Sequence, residues 1–364
     1  MGHEKHILVV FFHPTHLESI VIIDKYYYVQ FRYIFNRYII RTHYNIITIK
    51  LNLYRCSFII MIVKRKVAQI GPSTLMVSIP SEWAKKHNLR KGVEVEVSVH
   101  DDRLVISTEK IDEKLVGALD VSKLRGMMLR YIVSMYKRGY DEILVEFDRP
   151  ELVSEIQKAI GKEAVGYEIM EQGSRTLVIR NIAETTGDYE TTLRRTFLLL
   201  NTMAKEAYEA LEKHEFDTLK NVAFLEEANN RFTTTIRRTI NKTMPKNATL
   251  VYYIVEQLEK IADQYKYLCM HFFNKKDENV KLGKKGLELL KATNDCFDVF
   301  SRVYYAYDQR KIVFLGEERK RIVAEAAELL ENAKSKHDRV LAHYVLTIVQ
   351  EVFCLVGPYL AMTL

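Results

Sequence analysis

From residue 184 to its end the chain all but abandons glycine and proline and settles into one apolar rhythm, which is the strongest constraint on its fold. Leu193, Phe197, Leu200, Ala204, Ala207 and Leu211 alternate spacings of four and three. Val251, Ile254, Leu258, Ile261, Tyr265, Leu268 and Phe272 repeat the pattern. A period near 3.5 residues is that of long antiparallel helices packed side by side, each burying one stripe. Between these two stripes a further helix is predicted over residues 216–244, stopped by Pro245. Three more follow over 284–308, 310–334 and 337–364. The expectation is an all-α domain of two three-helix units whose sequences match each other only faintly.

The rest of the chain reads differently. Only 14 glycines and 6 prolines in 364 residues argue against sandwiches and propellers. The four cysteines, Cys56, Cys269, Cys296 and Cys354, stand far apart without a CxxC pair. That disfavours a disulfide framework or a cysteine zinc site and suits a reducing, cytoplasmic compartment. No uninterrupted apolar run reaches 18 residues, so no membrane insertion is expected. The net charge of +7 is uneven: residues 1–60 carry 7 Lys/Arg against 3 Asp/Glu, residues 61–110 carry 9 against 6, and residues 111–364 balance at 38 each. Attraction to nucleic acid therefore belongs near the front.

Residues 1–60 contain no alanine, one glycine, twelve isoleucines and twelve of the 39 aromatic residues. They show neither a helical period nor clean alternation. This reads as translated AT-rich non-coding sequence upstream of a start at Met61, or as a disordered arm without a consistent fold. The same aromatic and basic residues would also suit a membrane-surface or partner-binding arm.

Residues 61–110 parse as a small strand-rich module. A strand over 63–70, a Gly71-Pro72-Ser73 turn and a strand over 75–79 are followed by a short helix over 81–87. A hairpin then runs from Val93 to Ser107 about Asp101-Asp102. In order, the landmarks are Arg65-Lys66-Val67, Ile70-Gly71, the Val77-to-Pro80 step and the Leu89-to-Gly92 turn. They resemble the AbrB/MazE-like swapped-hairpin family. That resemblance implies a homodimer, because so short a segment closes no core alone. It also implies DNA binding through Lys64, Arg65, Lys66, Lys85 and Lys86. Family DNA binders often carry another arginine after the turn glycine. Here Pro72-Ser73-Thr74 stand instead, which leaves a merely dimerising module as the alternative.

Residues 111–183 read as an α-β-α-β-β linker domain. Its first helix presents Leu124, Met128, Tyr131 and Met135 on one face, and a strand covers 141–147. A second helix turns Leu152, Ile156 and Ile160 inward and ends at Gly161. A hairpin closes about Gln172-Gly173-Ser174. No Gly-rich phosphate loop or nucleophile–base pairing is visible, so a coupling role is expected.

In the helical domain Glu226 and Asn230, and Glu259 and Asp263, are pairs four residues apart, each on one helix face. Four oxygens from facing helices suit a hard cation. Equally, these carboxylates suit surface ion pairs with Arg231, Arg237 or Lys260. The stretches LEKIADQY (258–265) and FLEEANNRF (224–232) resemble the PhoU family, whose three-helix units carry E/D-x-x-x-D motifs that bind metal. The resemblance covers roughly residues 186–364. It implies Glu226, Glu259 and Asp263 as ligands, with Asn230 where the family usually has Asp, for a divalent or iron-type cation (Mg, Mn or Fe). In the second unit Gln350-Glu351, Phe353 and Gly357 stand where acidic ligands would be, so that half is expected to have lost its site.

The chain is thus expected to be a multidomain α+β protein: a swapped-hairpin β module, a mixed linker domain and a PhoU-like helical domain. The expected function is that of a cytoplasmic, dimeric, non-enzymatic regulator of phosphate uptake. Its partners would be DNA and a phosphate ABC transporter or phosphate-signalling protein. The alternative is a transcription factor whose helical domain only oligomerises or senses a ligand.

Overall fold

The structure, a computed structural model, describes residues 22–24, 27–34, 37–41, 46–49, 64–100, 103–108, 114–183 and 188–364. The chain divides into two compact units, Met1–Lys91 and Gly92–Leu364.

In the first unit β1 (Ile22–Asp24), β2 (Tyr27–Ile34), β3 (Arg37–Arg41) and β4 (Ile46–Ile49) pair in sequence order as an antiparallel meander. Strands therefore stand where an aperiodic arm is expected. Alternation reports which face of a strand is buried, whereas Ile, Tyr, Val, Phe and Thr favour extended backbone without it. β5 (Ala68–Ile70) and β6 (Thr74–Met76) form a second hairpin, shorter than the strands read from the sequence. Pro80 then leads into α1 (Ser81–Lys86), with Glu82 in its first turn and Lys85 and Lys86 in its last, an order that suits the helix dipole.

The second unit opens with the hairpin β7 (Glu96–His100) and β8 (Arg103–Ser107). The Asp101-Asp102 turn lies outside the described residues. Neither hydrophobic core of the molecule includes a residue before Val121. In the first unit Val67, Ile70, Leu75, Met76 and Val77 are exposed. In the β7–β8 segment so are Val93, Val97, Val99, Leu104, Val105 and Ile106.

The mixed domain contains β9 (Val116–Asp120), a 3-10 turn at Arg125–Met127, α2 (Met128–Arg138), β10 (Glu142–Glu146), α3 (Glu151–Glu163), β11 (Tyr167–Gln172) and β12 (Thr176–Asn181). Its sheet order is β11-β12-β10-β9, with β9 parallel to β10 and the other pairs antiparallel. The unit is therefore β-α-β-α-β-β. The sequence reading misses β9 because VGALD has weak strand formers and sits at a sheet edge. Gly117 is there for close approach: a Cβ would run into the Tyr140 ring and the Met135 methyl.

Two further boundaries differ from expectation. α2 buries Met128, Ile132, Val133 and Tyr136, while Tyr131 is exposed. The helix is apolar on more than one side, so the buried stripe lies about one residue out of phase with the expected one. α3 runs through Gly161 to Glu163, because one helical glycine costs only about 1 kcal/mol and buried Leu152, Ile156, Ala159 and Ile160 outweigh it.

The helical region comprises α4 (Tyr189–Glu212), α5 (Leu219–Thr243), α6 (Ala248–Phe273), α7 (Lys284–Tyr305), α8 (Gln309–Asn332), α9 (Lys336–Cys354) and short α10 (Val356–Thr363). α4–α6 and α7–α9 are two three-helix units, and one continuous core joins them through α4 against α7 and α6 against α9. Every residue of the two apolar stripes read from the sequence is buried in it. Asp188 caps α4, Asp308 caps α8 and Ser335 caps α9 through side-chain oxygens. The expected last helix is two: Pro358 cannot donate to the carbonyl of Cys354, and α9 ends there. Lys336–Thr363 is, by length and composition alone, long and apolar enough to cross a membrane. The uninterrupted-run test passes over it because His343, Gln350 and Glu351 break the run. Here Leu341, Val345, Ile348 and Val352 are spent on the bundle core.

Candidate nucleic-acid interface and charged seam

The five basic residues singled out in the front module lie in the first unit. Lys64, Arg65 and Lys66 precede β5, and Lys85 and Lys86 form the last turn of α1; all five are exposed. None forms an ion pair among the described residues. Unpaired, solvated cations on a short helix and an adjoining segment are what contact with a phosphate backbone requires.

The four residues expected to hold a metal lie along the seam between α5 and α6, and each already has a polar partner. The Lys266 ammonium donates to Glu226 Oε1 at 2.8 Å and to Asp263 Oδ1 at 2.7 Å. Asn230 Nδ2 donates to the same Glu226 oxygen at 2.7 Å. Glu259 accepts from the Arg237 guanidinium and, at 3.1 Å, from Thr233 Oγ1. Arg237 also pairs with Glu256. Among the described residues no group of three His, Cys, Asp or Glu side chains converges as metal ligands would. Burial works against the charge on Lys266. The hydrogen bonds to Asp263 and Glu226 outweigh it and hold its pKa above the ordinary lysine value. Burial presses the Arg237 pKa down, and Glu256 opposes that. Glu163, at the end of α3, is pushed up by burial and by the charge of Glu226.

Among the described residues the three-helix unit α7–α9 has no such seam. Arg319 donates to Gln350 Oε1 at 2.7 Å and lies over the Phe353 ring. Burial pushes the thiols of Cys269 and Cys296 up to about 12, far from thiolate reactivity.

The residues that sequence reasoning missed sit on the other side of α5. Arg238 is fully buried and inserts into the mixed domain. It donates to the carbonyls of Tyr136 (3.0 Å) and Tyr140 (2.6 Å) and to Asp141 Oδ1 (2.7 Å). Its guanidinium lies over the Tyr136 and Tyr167 rings. It thereby adds a second donor to the Tyr136 carbonyl at the end of α2 and to the Tyr140 carbonyl just beyond it, beside Gly139, which takes a φ of 104° and where a Cβ would strike Lys242. Around it Asn241 donates to Lys137 O, Lys242 to Asp141, and Thr234 Oγ1 to Glu163 O. Asp141 in turn accepts from the amide of Leu115, just before β9. The available signal is the Arg237-Arg238 dipeptide next to Ile236 and Ile240, in phase with the buried face of α5. A charged pair ordinarily belongs to solvent, which masks that signal.

Fold and site together define a class. This is a multidomain α+β protein in which a hairpin module precedes a mixed sheet fastened to a helical bundle. Residues 69–114 match the family described as antidote-toxin recognition MazE, bacterial antitoxin, so the front of the chain is a MazE/AbrB-like module. The chain is also similar to the phosphate transport system regulatory protein PhoU from Streptococcus pneumoniae. The two are 11% identical, with a TM-score of 0.40, over 48% of this chain and 93% of that one. Among curated proteins no sequence matches the chain.

Proposed function

We propose that the protein is a homodimeric, DNA-binding regulator of phosphate uptake that works in the cytoplasm, a binding protein and not an enzyme. The observation that carries the reading is the front module. A MazE/AbrB-like match over residues 69–114 takes in Lys85 and Lys86 and begins just after Lys64, Arg65 and Lys66; among the described residues all five are exposed without an ion pair, and the apolar residues of the β5–β6 and β7–β8 hairpins are exposed. A second copy supplies a core for them, which favours dimerisation, and doubles the positive charge offered to DNA. The phosphate assignment rests on the sequence resemblance of residues 224–232 and 258–265 to PhoU. A phosphate ABC transporter or a phosphate-signalling protein is the proposed partner of the bundle.

The proposed coupling runs through α5. Leu115, just beyond the hairpin module, is bonded to Asp141; Asp141 to Arg238; and neighbouring Arg237 to Glu256 and Glu259 of α6. A partner that shifts α6 against α5 thereby reaches the base of the DNA-binding module. A cation such as Mg, Mn or Fe enters this scheme by displacing the Lys266 ammonium from Glu226 and Asp263, and elemental analysis of the purified protein tests for it.

A gel-shift series on a phosphate-transporter promoter, repeated across salt concentrations, tests the function. Arg65→Ala with Lys66→Ala is expected to abolish detectable binding, or to lower the salt slope by about one unit for each phosphate no longer neutralised, while the dimer stays intact. Promoter binding with no response to phosphate supply would favour the plain transcription factor. An unchanged slope in the double variant would remove the DNA role.

A further inference from the structure

An open groove of about 590 Å³ lies on the face of the bundle where α6, α8 and α9 meet, away from the α5–α6 seam. Its walls carry His271 from α6 and Lys336, Arg339 and His343 from α9, and no carboxylate lines it. Leu330 and Val340 supply apolar surface, and Tyr344 stands with its ring centroid 6.3 Å from that of His271 and 5.4 Å from that of His343.

Lys336 has a carboxylate partner, Glu278, at 2.9 Å, but Arg339 forms no ion pair among the described residues and donates to the carbonyl of Ala333. Burial lowers the His271 pKa, the nearby charges of Lys275 and His337 lower it further, and the Glu278 carboxylate opposes them. A guanidinium, an ammonium and imidazoles around one open, largely apolar groove beside a tyrosine ring suit an anion that also carries a flat ring. The open volume exceeds what a single phosphate group fills.

We propose that this groove binds a chain of phosphates, carried by a nucleotide whose base lies against Tyr344 or present as inorganic polyphosphate, with Arg339, Lys336 and His343 contacting the phosphates. The site does not depend on the DNA-binding reading, and its test uses no DNA.

Calorimetric titration of the full-length protein with ATP, tripolyphosphate and orthophosphate tests it. ATP or tripolyphosphate is expected to bind at least tenfold more tightly than orthophosphate. Arg339→Gln combined with His343→Gln is expected to weaken that binding at least tenfold, with an unchanged melting temperature as the check on folding; Lys336→Gln serves if the pair does not fold. Tighter binding of ATP than of tripolyphosphate, abolished in Tyr344→Leu, identifies the nucleotide, and equal binding identifies the inorganic chain. The proposal is overturned by three outcomes: no binding of either probe, affinity unchanged in the groove variants, or loss of binding in Arg65→Ala/Lys66→Ala instead.

Discussion

α5 and α8 hold equivalent places in the two halves of the bundle, each the middle helix of its half and neither a main contact between the halves, yet they are put to opposite uses. α5 buries thirteen residues, among them Glu226, Asn229, Asn230, Thr233, Thr234, Arg237, Arg238 and Thr239. α8 buries three, Leu315, Ile322 and Ala326, and its outward side is a solvated ladder in which Arg321 pairs with Glu318 and Glu325. The mixed domain makes the difference, because α2 and α3 cover the outer side of α5 and nothing among the described residues does the same for α8. One three-helix fold thus yields a polar helix buried on two faces and an ordinary amphipathic one. Burial of charge in this molecule marks where two domains are fastened together.

The comparison breaks most readily at Arg238. Replacing it with alanine removes three hydrogen bonds, to Asp141 and the carbonyls of Tyr136 and Tyr140, and leaves a cavity where the fully buried side chain stood, at an expected cost of about 2–4 kcal/mol. Arg319→Ala on α8 should cost under about 1 kcal/mol, since its partner Gln350 remains neutral and half-buried. Urea melting of both variants decides. Equal losses would mean that the arginine on α5 is no more structural than its counterpart.

A smaller effect of opposite sign is expected at Asn229. Its amide is fully buried on α5, and neither its oxygen nor its nitrogen has a hydrogen-bond partner. Asn229→Leu should raise stability by about 1–2 kcal/mol by removing the cost of unpaired polar atoms. A fall in melting temperature would show that the amide serves a bound partner instead.

The smallest effect lies in the turn between α6 and α7. Hydrogen bonds from Lys275 and Lys336 hold the Glu278 carboxyl at a pKa of about 2, against an ordinary 4.5. A lowered pKa stabilises the fold above pH 4.5, and the contribution disappears as the pH falls from there towards 2. The melting temperatures of the wild type and Glu278→Gln should differ by a constant amount above pH 5 and converge near pH 2. A gap that persists at pH 2 would show that the ion pairs contribute nothing.

The same contrast explains what was legible in the sequence. The six long helices were, because each buries a stripe of Leu, Ile, Val and Phe at regular spacing, and the stripe is written in residue type. The hairpin module was legible through its turn residues and the alternation of Val93, Val95, Val97 and Val99. β9 was not, since Gly117 and Ala118 are dictated by a neighbouring tyrosine ring and not by strand propensity. At the seam, spacing correctly put Glu226 with Asn230 on one face of α5 and Glu259 with Asp263 on one face of α6. It could not say what neutralises them. Lys266 and Arg237 do so in this fold, and a lysine three residues beyond an aspartate looks the same whether it is solvated or shared by two helices. Arg238 was hidden for a related reason: its partners lie about a hundred positions earlier in the chain, and two of the three are backbone carbonyls.

Arg237 and Arg238 are consecutive, so their side chains leave α5 about 100° apart. One is engaged by α6 and the other by the mixed domain. Rotating α5 by a single residue, or sliding it by one turn, would tear out both. The helix therefore behaves as a keyed axle whose angular position is fixed relative to both bodies it joins. A motion of the bundle can reach the mixed domain as a tilt or a rigid displacement of the whole axle, but it cannot be dissipated by the helix turning in place.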